Sequence, residues 1–277
     1  MNKVDLHLHS TASDGVLEPR AVVQAVASAG VVGLSLTDHD TVEGLEEAAM
    51  ECERLGIRHV AGSEISANEP GVSIHLLAYG FDPRHAGLLA FLAGVREARW
   101  TRVHEMIRRL NGIGIPITAQ NVLDQSGAGS ATRAHVSRAL IAGGWVRDTR
   151  EVFSRHLGRG CPGFVEKPPT PPAGVIQLVR EAGGVTMLAH PGDSYAEADI
   201  ERWVADGLDG IEIMHSRNGP QERAMLERLV ERHGLLRGGG SDWHGPDSGG
   251  APPGTENVPE EWLDAVVARC ENRDCTP

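Results

Sequence analysis

The sequence has no run of about 18 apolar residues, the length a membrane-spanning helix requires, so no transmembrane helix is expected. Its opening residues, Met1-Asn2-Lys3-Val4-Asp5-Leu6-His7, lack the apolar stretch of a secretory signal, and a strand pattern begins at once. Only four cysteines occur, Cys52, Cys161, Cys270 and Cys275, without the Cys-x-x-Cys spacing of zinc and redox motifs. These absences predict reduced thiols, a cytoplasmic protein and no membrane partner. Positive charge is scarce as well. Only Lys3 and Lys167 are lysines, and 26 basic residues face 38 acidic ones, for a net charge of −12. Wrapping a long polyanion rests on many Lys and Arg contacts to phosphate, so long nucleic acid is not expected as a partner. A short anionic substrate met by local positive charge is compatible with the same balance.

What is present is a chain of 277 residues, 40% hydrophobic and 23% charged, large enough to bury a core without disulfide or zinc staples. Short apolar runs alternate with helical stretches at both ends. Residues 4–8, 32–36, 58–62, 73–79, 184–189, 209–214 and 235–239 read as seven strands. Residues 16–29, 41–55, 173–182, 196–205, 220–233 and 259–270 read as helices, and residues 66–71 as a polar loop between the third and fourth strands. The pattern predicts an α/β fold with a mainly parallel sheet of the kind that closes into a barrel. Between Pro83 and Phe164 the pattern is helical only, over 88–110, 119–125, 131–142 and 149–157. That stretch predicts an all-helical insertion, and Lys167-Pro168-Pro169-Thr170-Pro171-Pro172 a stiff return linker. The expected division is barrel over 1–82, insertion over 83–166 and barrel again over 167–277.

The sequence is rich in histidine, with 13 residues, and most of them are grouped. His7 and His9 lie two apart on a strand and share one face. Asp14 follows in Ser13-Asp14-Gly15. Asp38-His39-Asp40 ends the second strand, Glu64 the third and His190 the fifth, while His75 lies within the fourth and Asp242 and His244 follow the seventh. In parallel α/β barrels the carboxyl ends of the strands share one face, where sites are built. Six histidines and at least three carboxylates are too many for one divalent ion and suit two or three. The absence of cysteine among them favours Mn²⁺, Fe²⁺ or Zn²⁺. His59, His85, His104, His156 and His233 fall outside the pattern and read as surface or packing residues.

These stretches, Val4-Asp5-Leu6-His7-Leu8-His9-Ser10, Thr37-Asp38-His39-Asp40, Gly62-Ser63-Glu64-Ile65, Ile74-His75, Ala189-His190-Pro191 and Gly240-Ser241-Asp242-Trp243-His244, resemble in content and order the PHP (polymerase and histidinol phosphatase) domain family. The resemblance implies a distorted, TIM-like seven-stranded βα-barrel with a trinuclear metal centre, Mn²⁺ first among the candidate ions. It implies that His7, His9, Glu64 and Asp242 hold one metal. Glu64 bridges to a second held by His75 and His190, and Asp14, His39 and His244 hold a third. Asp38 and Asp40 then orient ligands. The helical stretch, with Thr132-Arg133-Ala134-His135 and Val152-Phe153-Ser154-Arg155-His156-Leu157, resembles the subgroup of nucleoside 3′,5′-bisphosphate phosphatases and short-oligoribonucleotide 5′-nucleases, in which the insert covers the metal centre. That implies a phosphate contact for Arg133, with His135 beside it; a helix-surface arginine is the competing reading.

The activity implied is hydrolysis of a nucleotide phosphate ester by in-line attack of a metal-bridging hydroxide, with charge on the phosphoryl oxygens neutralised by the third metal and Arg133. His215, after the sixth strand, is placed as proton donor to the leaving oxygen, as a phosphate contact, or as a structural residue. Lys167 reads as a solvated linker residue. The implied partner is a small phosphorylated nucleotide or short RNA. Alternatives are a histidinol-phosphate phosphatase and an amidohydrolase-type C–N or C–O hydrolase, to which a His-x-His strand and a late Asp are also suited.

Overall fold

Three short parallel strands, β1 (Lys3–Asp5), β2 (Gly33–Leu34) and β3 (Arg58–His59), alternate with helices α1 (Pro19–Ser28) and α2 (Leu45–Leu55) in the computed structural model, which describes residues 2–126, 131–246 and 251–274. Cys275 lies outside the described residues. α1 forms where the sequence pattern puts it: Pro19 presets the first turn, and Val22, Val23 and Val26 recur at helical spacing and are its buried face.

The chain continues as an antiparallel hairpin of β4 (Gly62–Glu69) and β5 (Val72–Tyr79). This corrects the polar loop expected over 66–71. Buried Ala67 continues the inward alternation begun by Ile65, and the Asn68 N–H donates to the Thr170 carbonyl at 2.8 Å. Pro70-Gly71 makes the turn, with Gly71 at φ 83°, the conformation that the third residue of a Pro-Gly type II turn needs. The next elements are helical: α3 (Ala86–Gly112), α4 (Ala119–Ser126), α5 (Arg133–Ala142) and α6 (Thr149–Val152), which runs into a π-helical turn at Phe153–Leu157. Alternation then resumes through α7 (Pro172–Glu181), β6 (Val185–Leu188), α8 (Glu197–Ala205), β7 (Gly210–Met214), α9 (Pro220–His233) and β8 (Leu236–Gly239), before β9 (Val258–Pro259) and α10 (Glu260–Asp274).

The fold is mixed α/β. The described residues form nine strands in two sheets, ordered β3-β2-β1-β9 and β4-β5-β6-β7-β8, where the sequence reading expected seven strands in one. β9 was not read because two residues carry no alternation; it pairs antiparallel to β1, Val4 opposite Val258. Two isolated parallel bridges, Leu8 with Trp243 and His39 with Glu64, tie the segments after β1 and β2 to the two edges of the second sheet, the segment after β8 and β4.

Two compact units divide the chain, residues 1–90 with 169–277, and residues 91–168. The first has a core of inward-facing strand residues, among them Val4, Leu6, Leu77, Val185 and Met187, packed with Leu263 and Val266 of α10. The second has its own core, in which Met106, Leu110, Val122, Val136 and Leu140 are fully buried.

Candidate metal centre

The first unit gathers titratable side chains at the ends of its strands. His7 and His9 follow β1, separated by Leu8, which is fully buried as is Leu6. Asp14 lies in the next turn. His39 follows β2, Glu64 of β4 and His75 of β5 stand diagonally across the hairpin, Glu64 opposite Leu77 and His75 opposite Ser66, His190 follows β6, His215 follows β7, and Asp242 and His244 follow β8. Asp40, His190 and Asp242 have φ of 51°, 28° and 54°. Positive φ is uncommon for residues other than glycine, and such strain collects at functional sites.

Glu64 is the centre of the cluster. Its Oε2 is 3.2 Å from Nε2 of both His7 and His9 and 3.1 Å from His39 Nδ1. Its Oε1 is 2.8 Å from His75 Nδ1 and 2.9 Å from His190 Nε2. Asp242 Oδ1 lies 3.4 Å from His7 Nε2 and 3.1 Å from His9 Nε2. A carboxylate offers about four lone-pair sites, so five imidazoles cannot all satisfy themselves by donating to this one. His7 sharpens the conflict. Its Nδ1 is 3.0 Å from Glu212 Oε1, an acceptor, so Nδ1 carries the proton. In neutral His7 the Nε2 lone pair then faces the lone pairs of Glu64 and Asp242.

Such an arrangement requires protons or cations between the donors. His7 Nε2, both ring nitrogens of His9, His39 Nδ1, Glu64 Oε2 and His215 Nε2 are buried and make no hydrogen bond. A tetrahedral ion with bonds of about 2.1 Å holds its ligand atoms about 3.4 Å apart, close to the spacings seen here. His7, His9, Glu64 and Asp242 form one group of donor atoms able to hold an ion; His39, Glu64 and His75 form another, and His9, Asp14, His39 and His244 a third. In the last, His244 Nε2 is 3.3 Å from Asp14 Oδ1, and His39 Nε2 is 3.9 Å from Asp14 Oδ2. The donor set fits divalent metal.

The electrostatics follow. Burial disfavours a charged His9, yet Asp242 and Glu64 hold its pKa up at about 10, and His7 is raised in the same way by Glu212, Asp242 and Glu64. For His39 burial prevails and the pKa falls to about 4. Burial also opposes the charge on Glu64, Asp14 and Asp242, but the surrounding histidines hold all three carboxyls far below their ordinary range.

The remaining candidates are placed as follows. Asp38 accepts from the Ser10 N–H and from the hydroxyls of Ser10 and Ser13, and Asp40 Oδ1 accepts from the Ser66 N–H at 2.7 Å. Asp38 therefore fixes the loop after His9, and Asp40 the stretch of β4 that carries Glu64. His215 Nδ1 accepts from the Arg217 N–H at 3.0 Å, and its Nε2 lies 3.6 Å from Asp242 Oδ2. In the second unit, Arg133 is the first residue of α5, half-buried over the Phe153 ring at 5.0 Å. His135 is buried, and its Nδ1 accepts from the Thr132 N–H at 2.9 Å, which caps the start of α5. Lys167 lies outside the regular elements.

Two residues escaped the sequence reading. Asp5, fully within β1, accepts from the Ser241 N–H at 3.0 Å and the Gly254 N–H at 2.9 Å. Glu212, fully buried in β7, contacts His7 and accepts from the His190 N–H at 2.6 Å. For Glu212 the available signal was a lone acid inside an otherwise apolar strand.

Comparison with known proteins bears on this cluster. A family model described as PHP domain matches residues 5–115. A 5′-3′ exoribonuclease of Haemophilus influenzae is 36% identical over 252 residues, spanning 88% of this chain and 90% of that relative. A 3′,5′-nucleoside bisphosphate phosphatase of Chromobacterium violaceum is 34% identical over 266 residues, 94% of this chain and 93% of the relative. A solved chain from Bifidobacterium adolescentis, described as a metal-dependent phosphoesterase, superposes with a TM-score of 0.87 at 32% identity, covering 97% of this chain and 96% of that one.

Proposed function

The chain belongs to the PHP domain family of metal-dependent phosphoesterases, and from that premise we propose that it hydrolyses a phosphate ester of a small nucleotide, either a nucleoside 3′,5′-bisphosphate or the 5′ end of a short oligoribonucleotide. The single observation that carries the reading is the convergence of buried histidine and carboxylate atoms that have no hydrogen-bond partner. The relatives' named activities on such substrates support the choice of ester.

Three divalent ions are proposed, with Mn²⁺ as the first choice and Fe²⁺ or Zn²⁺ as competitors. His7, His9, Glu64 and Asp242 hold one, Glu64, His75 and His190 a second, and Asp14, His39 and His244 a third. The two oxygens of Glu64 face different histidine sets, which supports its bridging role. Bound divalent ions supply hydroxide near neutral pH and neutralise charge on phosphoryl oxygens. His215 accepts the Arg217 N–H at Nδ1, so it keeps a proton at Nε2, available to the leaving oxygen. Arg133 and His135 take the phosphate contacts that the family resemblance implies. The bridges at Leu8–Trp243 and His39–Glu64 support a barrel ring of β2, β1, β8, β7, β6, β5 and β4, with residues 83–166 as its helical insertion. No helix among the described residues is long and apolar enough to cross a membrane, and we place the enzyme in the cytoplasm.

Purified protein with Mn²⁺ is expected to release phosphate from adenosine 3′,5′-bisphosphate, or mononucleotides from 5′-phosphorylated short RNA. Absence of turnover on both would sink the substrate assignment. An Arg133→Ala variant is expected to raise KM for the phosphorylated substrate about tenfold or more, as loss of a charged hydrogen bond of about 1.5–3 kcal/mol implies; an unchanged KM removes Arg133 from the phosphate contact.

A further inference from the structure

Glu212 is a buried carboxylate that no proposed metal group needs, and both of its oxygens are committed. Oε1 is 3.0 Å from His7 Nδ1, and Oε2 accepts the His190 backbone N–H at 2.6 Å. His7 and His190 come from different strands, β1 and β6, and belong to different proposed ion sites. Glu212 stands between them on β7. Its own position is fixed: Asn218 donates from Nδ2 to the carbonyls of Glu212 and Ile213 at 2.9 and 3.0 Å, and accepts at Oδ1 from the Gly192 N–H at 2.8 Å.

We infer that Glu212 is a positioning residue that sets the tautomer of His7 and the backbone of His190, and so couples two ion sites through one side chain. The inference rests on the reading of His7 and His190 as ligands. An imidazole that binds metal through Nε2 must carry its proton on Nδ1, and a carboxylate accepting that proton fixes both the tautomer and the ring plane. Glu212 meets that need for His7. For His190 it acts on the main chain, where φ of 28° is a conformation that the local sequence does not favour. The 2.6 Å hydrogen bond from that residue's N–H to Oε2 holds the turn. Glu212 also falls in a group with His7 and His215, but it meets His7 at the proton-bearing Nδ1, whereas Glu64 and Asp242 gather at Nε2, which assigns it to orientation and not to ligation.

Glu212→Gln separates these roles from simple packing. It has the same shape, but its amide oxygen can serve only one of the two donors, and its NH₂ then faces the other. Metal-stripped wild type, Glu212→Gln and Glu212→Ala are titrated with Co²⁺ and followed by visible absorption, with melting temperatures recorded without metal. The expected result is Co²⁺ affinity about 10–100-fold weaker in Glu212→Gln, with an altered visible band and a folded metal-free protein. Should the alanine variant not fold, the glutamine variant decides. Wild-type affinity and spectrum in Glu212→Gln would overturn the positioning role while leaving the metal reading intact, even if its metal-free melting temperature fell. A wild type that binds no Co²⁺ would overturn the metal reading, and the inference with it.

Discussion

At the scale of single residues, one carboxylate decides how the cluster works. Glu64 offers Oε1 to His75 and His190 and Oε2 to His7, His9 and His39. A Glu64→Ala variant is therefore expected to lose more than one equivalent of bound metal, against one for His75→Ala. Elemental analysis of both purified variants tests this, and equal losses would refute a bridging role. The protonation of the metal-free cluster gives a second prediction. His9 has its pKa raised from the ordinary 6.5 to about 10. A raised pKa stabilises the fold fully below the unfolded value and loses that contribution as pH climbs through the folded one. The melting temperature of metal-free protein should fall between pH 6.5 and about 10, and the loaded protein should not follow, since metal replaces the proton. Parallel curves would show that His9 does not exchange a proton for metal. The grouping of His7, His9, His39, His190 and His244 was legible because each sits in a short motif at or beyond a strand end, which is easy to read, while His75 was legible as a histidine within a strand. Glu212 was not legible, since a single acid in a strand has no periodicity to betray which side chains it meets.

At the scale of elements, the approach of the segment after β8 to His7, just past β1, is a tight constraint. A Cβ at Gly240 would collide with the backbone nitrogen and Cβ of His7 and sit 2.9 Å from Asp5 Oδ1. Gly240→Ala therefore has to push the β8 segment off β1, at a cost of about 1–3 kcal/mol. For a chain of this size that is a fall of very roughly 2–9 °C in melting temperature, with weaker metal binding because His7 moves. Thermal melts and metal analysis of the variant check both; an unshifted melt would mean the strand end yields freely. The same level shows where sequence reading stops. Amphipathic α1 and the apolar runs of β6 and β7 declare themselves by periodicity. The length of β4 does not, because Asn68 and Glu69 are poor strand formers held there by pairing with Ser73, Val72 and Thr170. The division into two sheets was also invisible, since it depends on which edges meet and not on any local pattern.

At the scale of the molecule, the first unit has an apolar core of strand and α10 side chains. Burial of such a core drives collapse without metal. Chelation with EDTA should leave helical circular dichroism at 25 °C close to that of the loaded protein, while lowering the melting temperature by several degrees through loss of binding free energy. Re-addition of Mn²⁺ should restore both the melt and phosphate release. Unfolding on chelation would show that the ions are structural in the sense of a zinc finger. The net charge of −12 also reads differently beside the cluster, because Asp14, Glu64 and Asp242 are proposed to face bound cations and not the substrate.

The pairing of β1 with late segments has a consequence for how the protein is made. Asp5 accepts from Ser241, 236 residues downstream, and Leu8 bridges to Trp243. A ribosome delivers β1 and its partner β2 early, but β9 and the segment after β8 much later, so the nascent chain holds His7 and His9 beyond a strand that still lacks these late neighbours. Contacts of such sequence separation form slowly. The proposed ion sites that draw on His190, Asp242 and His244 are therefore completed only after most of the described chain has been synthesised, and a metal encountered earlier meets His7, His9, Asp14, His39, Glu64 and His75 without those later donors.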